Sequence, residues 1–183
     1  MTNSTQITGL FVVKQGPVVP LEDLENSIDF QQLSLKLYGR EVLQPRLVAW
    51  YGPCAYTYSG LTLPARPMPA VLADLAKIAS EQAGEEFNSV MCNLYRDGSD
   101  SVSWHADDEP IFGRDPVIAS LSFGSPRKFV VKHNTSGEKQ SWELGNGSLL
   151  VMGRGVQQNY KHTITKTKRA VGKRINLTFR KVV

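Results

Sequence analysis

FNSVMCNLY, residues 87–95, carries the two-residue period of a strand, with Met91, Asn93 and Tyr95 on one face and Val90, Cys92 and Leu94 on the other. The apolar set is a surface for packing against a helix. The mixed set sends an amide and a phenol to the opposite side, where each needs a hydrogen-bond partner once buried. Downstream the same period persists to the end of the chain, in short apolar runs separated by Asp-Gly, Ser-Gly and Asn-Gly turn signals. Strands are predicted at 87–95, 117–124, 128–133, 140–144, 148–152, 159–162 and 174–182.

Upstream the period lengthens. Met68, Val71, Leu72, Leu75, Ile78 and Ala79 recur at helical spacing around Pro67 and Pro69, and Gly84 supplies a left-handed terminator. A shorter helix is predicted after Pro20, where Leu21, Leu24 and Ile28 keep the spacing and Glu22, Asp23 and Glu25 suit the positive end of the helix dipole. Helices followed by many short antiparallel strands define an α+β fold: a double-stranded β-helix, or jelly roll, with the N-terminal helices supporting one face.

At 183 residues, 41% of them apolar, the chain is expected to form one domain over 1–183. Its one plausible boundary falls near Gln44-Pro45, where a helical pattern ends, which divides a lead-in (1–44) from a lid and jelly-roll core (45–183). A single core at this size buries roughly 70% of the surface that the unfolded chain exposes, so folding needs neither a disulfide nor a structural metal. Cys54 and Cys92 are therefore expected as reduced thiols of a cytosolic protein. No apolar run nears the roughly 20 residues that span a bilayer, and MTNSTQITGLFVV lacks the basic patch of a signal peptide, so membrane and secreted classes are not expected.

The net charge of +4 is unevenly spread, since residues 1–144 hold 12 bases and 17 acids whereas 145–183 hold nine bases and no acid. Such a tail attracts phosphate and speeds encounter with nucleic acid. Charge alone favours a solvated basic surface.

The last strand repeats the opening pattern, with Arg174, Asn176, Thr178 and Arg180 on one side and Ile175, Leu177 and Phe179 on the other. This is either a wet face on an edge strand or a cradle for a small buried dicarboxylate. In WHADDE, His105 and Asp107 are two apart and face one way on extended backbone, so they can chelate a metal; either His162 or His133 would complete the site. Two imidazoles and one carboxylate on one face of an iron leave positions open for a bidentate cosubstrate and dioxygen.

Taken together, these segments resemble the AlkB-type Fe(II)/2-oxoglutarate dioxygenases, which remove alkyl lesions from nucleic acid bases. The resemblance runs from about Gln44 to Lys181 through QPRLVAWYG, YTYSGLTL, FNSVMCNLYRDGSDSVSWHADDEP, IASLSFG, GSLLVMG and RINLTFR, in wording similar to the animal AlkB homologues 2 and 3. It implies that His105, Asp107 and His162 hold Fe(II), which leaves His133 a structural residue. It also implies that Asn93, Tyr95, Arg174, Asn176, Thr178 and Arg180 grip 2-oxoglutarate, in agreement with the two polar stripes. Arg180 is expected at the distal carboxylate, with Arg174 as its helper or nearer the metal. Dioxygen is the second cosubstrate, and the implied reaction hydroxylates an N-alkyl group, with release of formaldehyde, succinate and carbon dioxide.

Methylation at N1 of adenine or N3 of cytosine makes a base cationic, so acids should meet it. Asp108 and Glu109 are expected to accept bonds from the exocyclic amine. Tyr56 and Tyr58 match positions that line the family's base pocket, with Tyr58 stacking the target base opposite His105; their alternative is a cross-strand aromatic pair. Leu37-Tyr38-Gly39-Arg40 lies where duplex-acting relatives carry an apolar finger, so the lead-in can carry a nucleotide-recognition element whose tip, Tyr38, either wedges into a stack or packs on a helix end. Met91 either sits near the oxidant, exposed to self-oxidation, or fills the roll. Arg154, Lys161, Lys166, Lys168, Arg169 and Lys173 are candidate phosphate contacts.

The expected partners are alkylated DNA and RNA, met by a monomer without membrane contact, in the cytoplasm or at the nucleoid, or in the nucleus of a eukaryote. Two rivals remain: a protein or lipid hydroxylase on the same roll, and a non-catalytic nucleic-acid-binding jelly roll. Tyr56, Tyr58, Asp108 and the basic tail oppose the first; paired arginines with no anion to neutralise oppose the second.

Overall fold

Fourteen strands and three short or medium helices are distributed over the residues that the computed structural model describes, 7–13, 16–37 and 40–183. In chain order these are β1 (Leu10–Val13), α1 (Leu21–Ser27), β2 (Ser34–Leu37), β3 (Arg40–Leu43), β4 (Leu47–Tyr51), β5 (Tyr56–Tyr58), β6 (Leu61–Leu63), α2 (Ala70–Ala83) and β7 (Ser89–Tyr95). They continue with β8 (Val102–His105), β9 (Ile118–Gly124), β10 (Arg127–His133), β11 (Lys139–Leu144), β12 (Ser148–Met152), α3 (Val156–Asn159), β13 (Tyr160–Ile164) and β14 (Arg174–Arg180). A six-stranded sheet, β1-β12-β9-β14-β7-β4, faces a four-stranded sheet, β11-β10-β13-β8, and every pairing is antiparallel. This is the expected jelly roll.

Alternation along β7 sorts its side chains as the sequence requires. Val90, Cys92 and Leu94 join Leu121, Leu177 and Phe179 in a layer covered by Leu24 of α1 and Leu72, Leu75 and Ala79 of α2. Gly84 closes α2 at φ 65°, a left-handed turn that costs glycine little. Between the sheets a second apolar layer, with Phe129, Val131, Leu144, Leu150 and Met152, fills one end of the roll. Toward the other end Trp50, Tyr56, Leu63, Met91 and Phe112 form a third cluster beneath the β5–β6 hairpin.

Several expectations need correction. β14 is no edge strand: it lies between β9 and β7, buried along its whole length, so its polar stripe is interior. The helical pattern ending at Gln44-Pro45 is instead a hairpin, β2 with β3, and β3, exposed along its length, supplies no core period for a helix or strand. β4 carries no strand signal in the sequence because LVAWY is apolar on both faces and shows no alternation, as suits a strand covered by helices outside and by the aromatic cluster inside. α3 is a single turn inserted before β13, which therefore starts at Tyr160 and runs on to Ile164. Tyr38 lies outside the described residues.

Candidate active site

Three side chains from three segments meet inside the roll. His105 ends β8, Asp107 follows it in the loop, and His162 comes from β13, whose register sets it directly opposite His105. One potential ligand atom from each lies within 4.8 Å of the others. Asp107 Oδ1 is 3.8 Å from His105 Nε2, and its Oδ2 is 3.7 Å from His162 Nε2. His105 Nδ1 is 2.8 Å from the Ser103 carbonyl, which can only accept, so the proton sits on Nδ1 and Nε2 is free to ligate. Burial pushes the His162 imidazole down to about 3, helped by His105 and Arg180 and opposed by Asp107, so it stays neutral. Burial would raise the Asp107 carboxyl, but Arg180, His162 and His105 together hold it well below the usual carboxylate range. Two imidazoles and an ionised carboxylate are the donor set that a ferrous ion takes.

Gln157, on α3, was missed by sequence reasoning. Its side-chain oxygen accepts the Asp107 backbone N–H at 2.9 Å, while its amide donates to Met152 Sδ at 3.5 Å. The ligand loop is thereby tied to the turn that precedes His162. Nothing in the pattern GVQQNY distinguishes this glutamine from its neighbour.

The two arginines of β14 stand at opposite ends of the strand, Arg174 opposite Tyr95 and Arg180 opposite Ser89. Arg180 donates to Asp107 Oδ1 at 2.7 Å, so it belongs to the metal end, and the expectation that it takes the distal carboxylate is revised. Burial opposes its charge, but Asp107, Tyr56 and Glu109 outweigh that and raise its pKa. Arg174 is fully buried; its Nη2 donates to Ser122 Oγ at 2.9 Å, and the guanidinium lies over the Tyr95 ring at 5.2 Å. Burial lowers its pKa to about 10, so it remains cationic at neutral pH. Nε and Nη1 of Arg174 have no partner. A buried guanidinium with unmet donors is costly unless an anion completes it, and the residues present therefore fit a small dicarboxylate running from Arg174 toward the metal cluster.

Asn93 Oδ1 is taken by Arg46 Nε at 2.8 Å. Arg46 also lines the cavity and was not foreseen; its one signal was a base directly after Gln44-Pro45 at the mouth of β4. Asn176 donates to Ser120 Oγ and the Leu121 carbonyl and accepts from Thr178 Oγ1, so this pair holds the floor of the cavity.

A cavity of about 380 Å³ joins these groups and is walled by Gln44, Arg46, Tyr56, Tyr58, Trp104 and Glu109, beneath Leu35 and Val42 of the β2–β3 hairpin. Tyr56 is packed against Trp50, Phe112 and Tyr58, the aromatic alternative to an open slot, and its hydroxyl donates to Glu109 Oε1 at 2.7 Å. Tyr58, half-buried, also lines the cavity, with its hydroxyl bonded to Gln44 and its ring stacked on Tyr56. Glu109 Oε2 is buried and unpartnered. Asp108 is exposed and outside the cavity wall, whereas its neighbours Asp107 and Glu109 line it, which corrects its expected place beside the base. His133 lies away from the cluster, its Nδ1 accepting from the Thr135 and Ser136 N–H groups. Met91 is buried on the cavity wall.

Four bases of the tail are paired in space. Lys173 meets Glu25 at 2.8 Å, Arg154 and Lys181 both meet Glu85 at 3.3 Å, and Arg169 meets Glu143 at 3.9 Å. Of the expected phosphate contacts, Lys161, Lys166 and Lys168 have no ion pair among the described residues.

A jelly roll holding two histidines and an aspartate beside a buried anion cradle defines an iron- and 2-oxoglutarate-dependent oxygenase site. The chain belongs to the 2OG-Fe(II) oxygenase superfamily, whose pattern matches residues 20–180 and whose members use Fe(II), 2-oxoglutarate and O2. Within it the chain is homologous to AlkB proteins. It is 44% identical over 149 residues to the human alpha-ketoglutarate-dependent dioxygenase alkB homolog 3, covering 76% of this chain and 52% of that protein. To the mouse DNA oxidative demethylase ALKBH2 it is 34% identical over 174 residues, covering 88% and 73%. The chain thus spans about half the length of the alkB homolog 3 proteins it matches. A solved structure described as "The structure of OsALKBH1" shares the fold at a TM-score of 0.63 and 17% identity, covering 94% of this chain and 98% of that one. Among the described residues no helix is long and apolar enough to cross a membrane.

Proposed function

We propose that this chain is an oxidative demethylase of N-alkylated bases, 1-methyladenine and 3-methylcytosine, in DNA, with RNA as the alternative substrate. The observation that carries this reading is Glu109: a buried carboxylate with one oxygen held by Tyr56 and the other free, in the same cavity as the metal cluster. A methylated adenine or cytosine is cationic and offers an exocyclic amine donor, so it suits that free oxygen; the unmodified base lacks the charge. The printed names of the relatives, a DNA oxidative demethylase among them, support the same substrate class.

The division of labour follows from the residues. His105, Asp107 and His162 would hold Fe(II), and Arg174, beside Tyr95 and Ser122, would take the far carboxylate of 2-oxoglutarate. With dioxygen, that pair supplies oxidation of the alkyl group, after which the hydroxylated product loses formaldehyde. Arg180 holds Asp107 ionised and oriented, and Gln157 fixes its backbone. Tyr58 offers a ring for stacking the extruded base, a contact that tolerates either base. Trp50 and Phe112 pack against the Tyr56 ring and hold it in place behind its hydroxyl.

The one-domain division, with 45–183 as the catalytic core, and a monomer acting wherever the cell keeps its nucleic acid, in cytoplasm, nucleoid or nucleus, complete the reading. Its test is direct: incubate the chain with ferrous ion, 2-oxoglutarate and a single-stranded oligonucleotide carrying 1-methyladenine, and follow loss of the methyl group by mass spectrometry and release of formaldehyde. Both are expected, and both should vanish in His105→Ala and Asp107→Ala. Succinate release without any change in the oligonucleotide would instead favour a protein or lipid substrate.

A further inference from the structure

The outer face of the four-stranded sheet carries a charge pattern that stability alone would oppose. Cross-strand register sets Lys132 directly opposite Lys139 on one side and Lys161 on the other, so three ammonium groups stand in one row across three adjacent strands. Like charges directly opposite are destabilising. No carboxylate lies within ion-pair distance of the three among the described residues. Farther along the same hairpin the arrangement is the ordinary one: Lys128 faces Glu143, which also meets Arg169. The remaining acid of this hairpin, Glu138, bonds to Ser136 in the turn.

Trp104, on β8, leans onto this row. Its ring centroid is 5.1 Å from Lys132 Nζ and 5.7 Å from Lys139 Nζ, yet 38% of the residue remains exposed. It directly precedes His105 and also touches the cavity that holds the metal cluster. An exposed indole set among lysines that have no carboxylate partner, at the edge of a base-sized cavity, offers what a flanking nucleotide needs: a flat surface for the base and point charges for phosphates.

We propose that Trp104, Lys132, Lys139 and Lys161 form the track for single-stranded nucleic acid on one side of the base held in the cavity. The lysines take backbone phosphates, which relieves their mutual repulsion, and the indole stacks the neighbouring base. The row spans two strand spacings, roughly 10 Å, enough for more than one phosphate. The inference rests on the demethylase reading only for what fills the cavity; an acidic peptide would satisfy the lysines but leave the indole without a stacking partner.

The test is binding of an unmodified, fluorescently labelled single-stranded oligonucleotide to the full chain, read by anisotropy across a salt series and without turnover. Each phosphate contact on a single strand contributes about 0.7 to the slope of log affinity against log salt. The double variant Lys132→Gln/Lys139→Gln should therefore lose about 1.4 from that slope. Trp104→Ala should weaken binding about tenfold with the slope kept, and Trp104→Phe should recover most of the loss. An unchanged slope in the double variant overturns the proposal, as does Trp104→Phe binding no better than Trp104→Ala. Displacement of the oligonucleotide by polyglutamate as efficiently as by unlabelled oligonucleotide overturns it in favour of an acidic protein partner. Failure of demethylation with the slope change intact would refute the proposed reaction and leave the track standing.

Discussion

Arg180 and Asp107 form an ion pair at 2.7 Å with both side chains only 4% exposed, so the carboxylate of the metal cluster already has a charge partner. Removing one member of a buried pair leaves the other uncompensated and costs about 3–5 kcal/mol. Arg180→Met should destabilise the metal-free chain by an amount in that range. A divalent ion bound by His105, Asp107 and His162 supplies the missing positive charge, so manganese should restore a large part of the loss. Urea unfolding of parent and variant, with and without manganese, measures both; equal losses in the two conditions would show that Arg180 serves packing rather than charge.

Arg174 presents the converse case, a buried cation with two donors unmet. The ligand-free protein bears that cost, and relieving it offsets the loss of the Ser122 hydrogen bond, worth about 1 kcal/mol. Arg174→Met is therefore expected to change stability without ligand by less than about 1 kcal/mol. It should also abolish the rise in melting temperature that 2-oxoglutarate gives the manganese-loaded parent. A full thermal shift in the variant would move the distal carboxylate to another residue.

Glu109 and Asp108 are adjacent and were equally eligible in the sequence, but only Glu109 lines the cavity. Glu109→Gln keeps the Tyr56 contact while losing the negative charge. It should lower kcat/KM for a 1-methyladenine oligonucleotide about tenfold or more, the loss of a hydrogen bond to a charged group. Asp108→Asn should leave kcat/KM within about twofold, as expected for a solvated surface change. Kinetics on both variants decide the matter, and a larger loss in Asp108→Asn would reverse the assignment.

That pair also shows where sequence stops being informative. Alternation in β7 and β14 placed Met91, Asn93, Tyr95, Arg174, Asn176, Thr178 and Arg180 on interior faces, because a central strand imposes a strict period of two and both faces have distinct neighbours. It could not order Arg174 and Arg180 from the metal, since that depends on which end of β14 faces the β8 loop. His105 and His162 are 57 residues apart in sequence and meet only through the β8–β13 register. Gln157 and Arg46 act from a single turn and a strand entrance, positions without any period to reveal them. Lys132, Lys139 and Lys161 look like scattered solvated charges until three strands bring them into line.

Asp100 offers a pH test remote from the metal cluster. It is nearly sealed from solvent and accepts from the Arg96 guanidinium through Nε and Nη2, both at 2.8 Å, and from the Arg96 backbone N–H at 2.9 Å. Burial would raise its pKa, but these bonds outweigh it and hold the carboxyl below its ordinary value. The unfolded chain then binds a proton more readily, with a carboxyl pKa near about 3.9. The stabilisation is fully present above that value and is lost as pH falls through the lower folded pKa. Asp100→Asn keeps the shape and removes the charge, so the parent's advantage in urea unfolding should be constant from neutral pH down to about pH 5 and shrink below about pH 4. Subtracting the variant also cancels what Asp107 and His162 contribute in both chains. An advantage that persists undiminished at pH 3 would mean that hydrogen-bond geometry, not the charge on Asp100, holds the loop between β7 and β8.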